Sequence, residues 1–448
     1  MSEHIRLKKG LDIPVKGAAP KQILETIHCD TVAVKPTDFR GLVPRLVVKE
    51  GDAVKAGSPL FVDKMRPSVS FCSPCSGVVK TVVRGDKRKL LSVIVKCEGN
   101  ESVKFDAVNP SKLSKQQMVD ALLERGLWPF IKQRPYGIVA NPEDDPKGIF
   151  VSAMNTAPLA PDADFIMEGQ LAYLQAGIDA LGRLTKGGVH FSVAEDRKDS
   201  QLRNLKGVVL HTFSGPHPAG NVGVQINHIS PIAKGEVVWT VDLVSLALIG
   251  KCLTEGVYDT TRLVAVTGPA ATQPAYVKTV QGMCMQKAHA YAEEGDVRFV
   301  SGDLLTGKEV GLEGYMGFFD NQVSLIAEGD YCEMLGWLKP FRCQKFSFSH
   351  LYWSWLSKNK RYDMDTNTNG GKRAFVVSDV YGKVLPMDIY PVYLVKACMA
   401  GDIEKMENLG IYEVIEEDLA LCEYVCPSKI GIQEILSNGI DLMLKEMA

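Results

Sequence analysis

At 448 residues the chain exceeds what one hydrophobic core usually organises, so three or four domains are expected. Its 46% hydrophobic and 23% charged residues give the balance of an ordinary soluble globular protein. A formal charge of −2, without interleaved aromatic and basic residues, excludes the footprint of a nucleic-acid binder or of a protein held on an anionic membrane surface.

The opening string MSEHIRLKKGLDIP has charges but no following apolar run, so it does not read as a secretory signal. From about Val32 to Glu98, short β-rich runs alternate with Gly, Pro and Asp turns, which predicts a small all-β module. Within it, VVKEGDAVKAGSPLF and the later SPCSGVV resemble lipoyl- and biotinyl-type barrel-sandwich domains. Lys64-Met65 is superficially like the modified lysine of such carriers, but the stretch from Lys64 to Pro74 is longer than a biotin hairpin allows. Cys72-Ser-Pro-Cys75 is a CxxC with no further zinc ligands at matching spacing, and it falls in a β-turn where a redox CxxC wants a helix N-terminus. Structural cysteines are the expectation there.

Beyond Pro110, LSKQQMVDALLERGLWPF has helical spacing of Met118, Leu122 and Leu123, with Ser114 as N-cap. GIFVSAM, the helix around EGQLAYLQAGIDALGRL, GGVHFSVAED, KGVVLHTF and a helix from Leu243 to Leu253 then alternate strand and helix, the signature of a parallel α/β sheet. The most apolar stretch, Val237 to Gly250, carries Asp242 and is too short for a membrane span, so it is expected as a buried helix. No GxGxxG or phosphate-binding loop occurs here. The nearest equivalent is Gly215-Pro-His-Pro-Ala-Gly220-Asn-Val-Gly223, whose prolines remove amide donors although Gly220 still permits a helix start. His217 in that loop is a candidate titrating group.

From Thr261 a small α+β module is expected, with RLVAVTGPA as strand and turn and VKTVQGMCMQKAHAYAEE as a short helical region. Ser347 to Tyr381 reads as a connection with an exposed MDTNTNGGKR loop, and the tail from Pro391 as helical. The tail string LALCEYVCPSK resembles the closing half of a ferredoxin-type cluster motif, but the preceding cysteine pair is absent and such clusters need four thiolates. The eleven scattered cysteines are expected as reduced thiols, mostly small core residues.

Taken in order, the strings KKGLDIP, VVKEGDAVKAG, RGLWPFIKQRP, FVSAMNTAPLAPD, SGPHPAGNVG, VSGDLLTG, LPMDIYP and EEDLALCEYVCPSK resemble the A subunits of sodium-translocating NADH:quinone oxidoreductases along nearly the whole chain. The resemblance implies a barrel-sandwich domain with an N-terminal arm over 1–108 and a Rossmann-like α/β domain, related to the flavin subunit of complex I, over 109–258. It further implies a β-grasp, SLBB-like module over 259–330, a connecting segment over 331–385 and a helical domain over 386–448. It implies a peripheral subunit on the cytoplasmic face of the bacterial inner membrane, partnered by membrane-embedded subunits. The complex uses NADH, flavins, iron–sulfur centres and a quinone, ubiquinone or menaquinone, to export sodium. Where flavin-binding relatives carry a glycine-rich loop, this chain has Arg125-Gly126-Leu127-Trp128-Pro129-Phe130, and bulky side chains replace the glycines that admit a phosphate. No cofactor of its own is therefore expected; the alternative is a redox-active subunit that keeps a flavin or a cluster. Trp128, Phe130 and Arg134, with His217 and Gly220, are the candidate contacts for quinone or a partner subunit. The competing reading puts Trp128 and Phe130 in the core and leaves Arg134 solvated.

Overall fold

The computed structural model describes residues 3–447 apart from 334, 339–342 and 358, so parts of the 331–385 connection lie outside the described residues. Two small antiparallel sheets build the N-terminal module. One runs Thr31–Val34, Leu90–Cys97, Gly77–Arg84, Ala53–Val54, and the other Pro44–Leu46, Pro59–Asp63, Ser70–Cys72. Their β-branched and aromatic residues suit a half-buried pleated surface, and Phe61 stacks on Phe71 at 4.8 Å. The tip that follows Pro59–Asp63 is fastened. Lys64 N donates to Val43 O at 2.8 Å, while Arg66 reaches Asp63 at 3.0 Å and the carbonyls of Val139 and Ala140. These ties hold the tip against the next domain, unlike the free tip of a swinging carrier arm.

Ser114 opens the helix Lys115–Glu124 with a capping box, accepting from Gln117 N while the Gln117 side chain bonds back to Ser114 N. The central sheet follows, in the order Glu3–Arg6, Val208–Ser214, Val189–Ala194, Ile149–Ser152, Val238–Thr240, Lys132–Arg134, Ile138–Val139. The first five strands are parallel and the last two form an antiparallel edge. Successive side chains of the middle strand face opposite layers. Ile149 and Val151 share a core with helices Leu171–Leu184 and Leu243–Glu255, whereas Phe150 packs with Ile226 of helix Val222–Ile229.

The stretch Val237–Gly250, expected as one buried helix, is instead a strand, Val238–Thr240, followed by a helix. Its first half is β-branched and aromatic and therefore extends, and Asp242 then caps the helix by accepting from Ser245 N at 2.9 Å. A second correction concerns 277–294, expected as a short helical region. Ala275–Val280 is a strand and only Met285–Tyr291 turns, as a 3₁₀ helix, because the alternating Val-Lys-Thr-Val pattern fits a sheet with one buried face.

The third sheet runs Lys308–Glu309, Val297–Ser301, Gln322–Ala327, Thr261–Thr267, Ala275–Val280, Ile23–Thr26. The N-terminal arm thus serves two other modules, since Glu3–Arg6 edges the central sheet and Ile23–Thr26 edges this one. In the tail, helices Pro391–Ala400, Ile403–Asn408, Glu416–Tyr424 and Ile432–Met447 share a core with Leu7, Phe213 and Val224 of the central domain. Among the described residues no helix is long and apolar enough to cross a membrane.

Candidate functional site

In the central sheet the chain leaves Ile149–Ser152 for its neighbour on one side, Val189–Ala194, while the parallel strand Val238–Thr240 lies on the other side. Strand order therefore reverses between these two strands, and the crevice beyond their carboxyl ends is where open α/β sheets place ligands. A cavity of about 360 Å³ occupies that position. Ser152 to Asn155 line it from the first strand end and Thr240 to Val244 from the second, with Asp303 and Phe319 to Gln322 contributed by the third sheet and Glu417 by the tail. The size falls within the roughly 300–1,000 Å³ of small-molecule sites.

The charges on its wall differ in how far they are committed. Asp242 caps a helix, Asp320 accepts from Ser301 Oγ at 2.5 Å, and Asp303 accepts from Leu305 N at 2.7 Å. Arg134 is only 2% exposed. Its Nη1 donates to Asp418 Oδ2 at 2.6 Å and its Nη2 to Glu417, so the guanidinium joins the sheet edge to the tail helix Glu416–Tyr424. Gly223 makes room for this pair, because a Cβ there would lie 2.3 Å from Asp418 Oδ1 and 2.5 Å from Arg134 Nη1. Lys132 is in no ion pair among the described residues. Its ammonium sits 3.5 Å from the centre of the Phe319 ring. Burial holds it below its ordinary lysine value, opposed by the field of Asp242, Glu417 and Asp320.

His217 also lines the cavity. Thr156 Oγ1 accepts from Gly220 N at 2.9 Å and lies 3.1 Å from His217 Nδ1. With its acceptor side used by Gly220, the Thr156 hydroxyl donates to Nδ1, which places the proton of the neutral ring on Nε2. That Nε2 is buried and has no hydrogen-bond partner among the described residues. Burial pushes the ring below its usual value, so it is neutral at physiological pH. Gly220 itself is held by Ser152, whose Oγ donates to its carbonyl at 3.1 Å.

The five residues singled out in the sequence therefore divide. Arg134, His217 and Gly220 meet at the cavity. Trp128 and Phe130, expected as candidate contacts on a surface, are 0% and 1% exposed and do not line it. Trp128 stands edge-on to Trp239 at 5.5 Å and donates from Nε1 to Ala140 O at 2.8 Å, while Phe130 packs on Phe318 at 4.9 Å. Arg134 is neither on a surface nor solvated; it is the buried half of an ion pair. Lys132 and Phe319 were not legible as site residues, since a lysine two residues before an arginine reads as solvated edge strand. The only sequence signal was the strand–helix order that creates the reversal.

In the tail, Cys422 and Cys426 are buried, and the Tyr381 hydroxyl donates to Cys426 Sγ at 2.9 Å. Burial pushes the Cys422 thiol upward and holds Cys398 at about 11. Among the described residues no three His, Cys, Asp or Glu side chains are grouped to hold a metal ion.

Three family profiles match the chain: an NqrA N-terminal barrel-sandwich hybrid domain at 5–98, an NqrA second alpha/beta domain at 113–258 and an NQRA C-terminal domain at 263–311. Curated relatives extend the similarity to nearly full length. The Na(+)-translocating NADH-quinone reductase A subunit of Yersinia pestis bv. Antiqua (strain Angola) is 38% identical over 439 residues, covering 97% of this chain and 98% of the relative. The corresponding protein of Hahella chejuensis (strain KCTC 2396) is 37% identical over 448 residues, covering 99% and 100%. That of Rhodopirellula baltica (strain DSM 10527 / NCIMB 13988 / SH1) is 35% identical over 449 residues, covering 98% of each.

Proposed function

Because the chain belongs to the NqrA family, the A subunits of the Na(+)-translocating NADH-quinone reductases, we propose that it acts as a peripheral component of such a complex and carries no redox cofactor itself. Enzymatic activity belongs to the assembled complex, which couples NADH oxidation and quinone reduction to sodium export. In this reading the chain sits at the cytoplasmic face of the inner membrane, bound to the membrane-embedded subunits, and assists the quinone step. A run of exposed apolar side chains in the connecting segment, Leu351, Trp353, Trp355 and Leu356, supports a partner surface outside the cavity.

The observation that carries the quinone reading is the cavity at the strand reversal. A quinone ring presents a flat apolar face and two carbonyl acceptors. Phe319 offers a face to stack on, and Lys132 Nζ and His217 Nε2–H are donors with no protein acceptor among the described residues. The crowding of Asp242, Asp303, Asp320 and Glu417 on the same wall opposes a phosphate-bearing ligand such as a flavin nucleotide. The loop where flavin-binding proteins hold glycines is here filled by the Trp128 and Phe130 rings.

Binding of a short-chain ubiquinone to the purified full chain tests this placement by calorimetry. Lys132→Met and His217→Phe are each expected to raise Kd about tenfold, the loss of one strong hydrogen bond of ~1.4 kcal/mol. Unchanged Kd in both variants would remove the quinone from this cavity.

A further inference from the structure

The motif Cys72-Ser-Pro-Cys75 is not a structural unit. Cys72 is buried, 3.9 Å from Ser70 Oγ, whereas Cys75 faces a cysteine from another strand. Cys75 Sγ and Cys97 Sγ stand 3.0 Å apart, closer than the roughly 3.5–4.0 Å at which non-bonded heavy atoms normally rest. Both side chains keep partial exposure.

The backbone around the pair is fixed from both sides. Glu98 N donates to Ser76 O at 2.9 Å, and Ser76 Oγ donates to Glu98 O at 2.8 Å, so the residues following each cysteine are bonded to one another. Gly77 lies opposite Cys97 in the ladder with φ +151°, and a Cβ there would lie 1.8 Å from Lys96 O. Only glycine permits this approach. The turn bearing Cys75 is anchored by Ser73 Oγ donating to Cys75 O at 2.7 Å and Thr260 Oγ1 donating to Pro74 O at 3.0 Å. Forming a disulfide, with sulfurs about 2.05 Å apart, asks only for side-chain rotation.

We propose that Cys75 and Cys97 form a reversible dithiol–disulfide site, closed by exchange with a low-molecular-weight disulfide. The Cys75 thiol donates to Cys97 and holds the Cys97 thiol below its ordinary value against burial, while Cys75 is pushed upward by the same bond. Cys97 is thus the attacking sulfur. Its thiolate attacks one sulfur of the incoming disulfide, breaks that bond and releases one thiolate, leaving a mixed disulfide on Cys97. Cys75 gives its proton to the departed thiolate and attacks Cys97 Sγ, displacing the second thiol. Two cysteine thiols are oxidised and one external disulfide is reduced to two thiols. Cys29, the neighbouring thiol, is engaged with Thr279 Oγ1 at 3.5 Å.

The test is to equilibrate the full chain in glutathione buffers of rising oxidised fraction, quench in acid, alkylate and map peptides without reduction. Two of the eleven cysteines should be lost to alkylation, together, as a Cys75–Cys97 linked peptide that disappears on return to reduced glutathione. In Cys75→Ser, glutathione should instead accumulate on Cys97. The proposal is overturned if exposed Cys332 and Cys343 carry glutathione while Cys75 and Cys97 remain fully alkylated, or if Cys97 is recovered linked to Cys29.

Discussion

Arg134→Ala is expected to destabilise the chain by about 3–5 kcal/mol, the cost of leaving a buried charge without its partner. Asp418 is 1% exposed and receives Arg134 Nη1 at 2.6 Å. Its only other donor among the hydrogen bonds described is Ile415 N at 3.0 Å, at the start of the helix Glu416–Tyr424, and its Oδ1 has no partner among the described residues. Removing the guanidinium therefore leaves a carboxylate in the core and loosens the docking of the tail helices on the sheet edge. A fall in the urea midpoint, with early protease cleavage between 385 and 448, is the expected observation. The double variant Arg134→Met with Asp418→Leu should recover most of the loss, because both charges then leave the interior together. Arg134→Lys should recover little, since an ammonium cannot address Asp418 and Glu417 with a planar fork. A loss below about 1 kcal/mol for Arg134→Ala would mean that the pair is solvated and does not hold the tail.

Trp128→Ala should cost a similar amount, about 3–5 kcal/mol, through a different mechanism. The indole is completely buried between the sheet and the N-terminal module, edge-on to Trp239 at 5.5 Å. Truncation opens a large cavity and strips Ala140 O of the Nε1 donor at 2.8 Å. Trp128→Phe, which keeps most of the volume, should cost about 1–2 kcal/mol, with quinone affinity unaltered because Trp128 does not line the cavity. Thermal midpoints of the two variants and the Kd of the Phe variant provide the readout. A Phe variant that folds normally but no longer binds quinone would place the indole at the ligand after all.

Much of the architecture was legible because its signals are local. The Gly-Asp and Pro-x-Ser-Gly turns marked the first module, Ser114 with Gln117 marked a helix start, and strand–helix alternation marked the parallel sheet. Two misreadings share a cause. In 237–250 and in 277–294 an apolar run was long enough to suggest a helix, but β-branched residues at its start extended the chain, and a cap or a turn then broke it. The site was far less legible. Its wall is assembled from segments around residues 132, 154, 217, 242, 303, 319 and 417, which meet only in the fold. Unusual residues in the Trp128 loop drew attention to packing, while Lys132 looked like a solvated charge. The same limit separates the visible Cys72–Cys75 spacing from the Cys75–Cys97 contact, which depends on how two strands approach at Gly77.

The most direct test of a subunit without its own electron carrier is a visible absorption spectrum of the full chain, purified gently without oxygen and recorded at high concentration. A spectrum featureless above the protein band is expected, because aromatic rings fill the position of the glycine-rich loop and the tail offers only Cys398, Cys422 and Cys426 where a cluster takes four thiolates. A stoichiometric flavin band or a broad cluster shoulder would contradict it and put the subunit on the electron path.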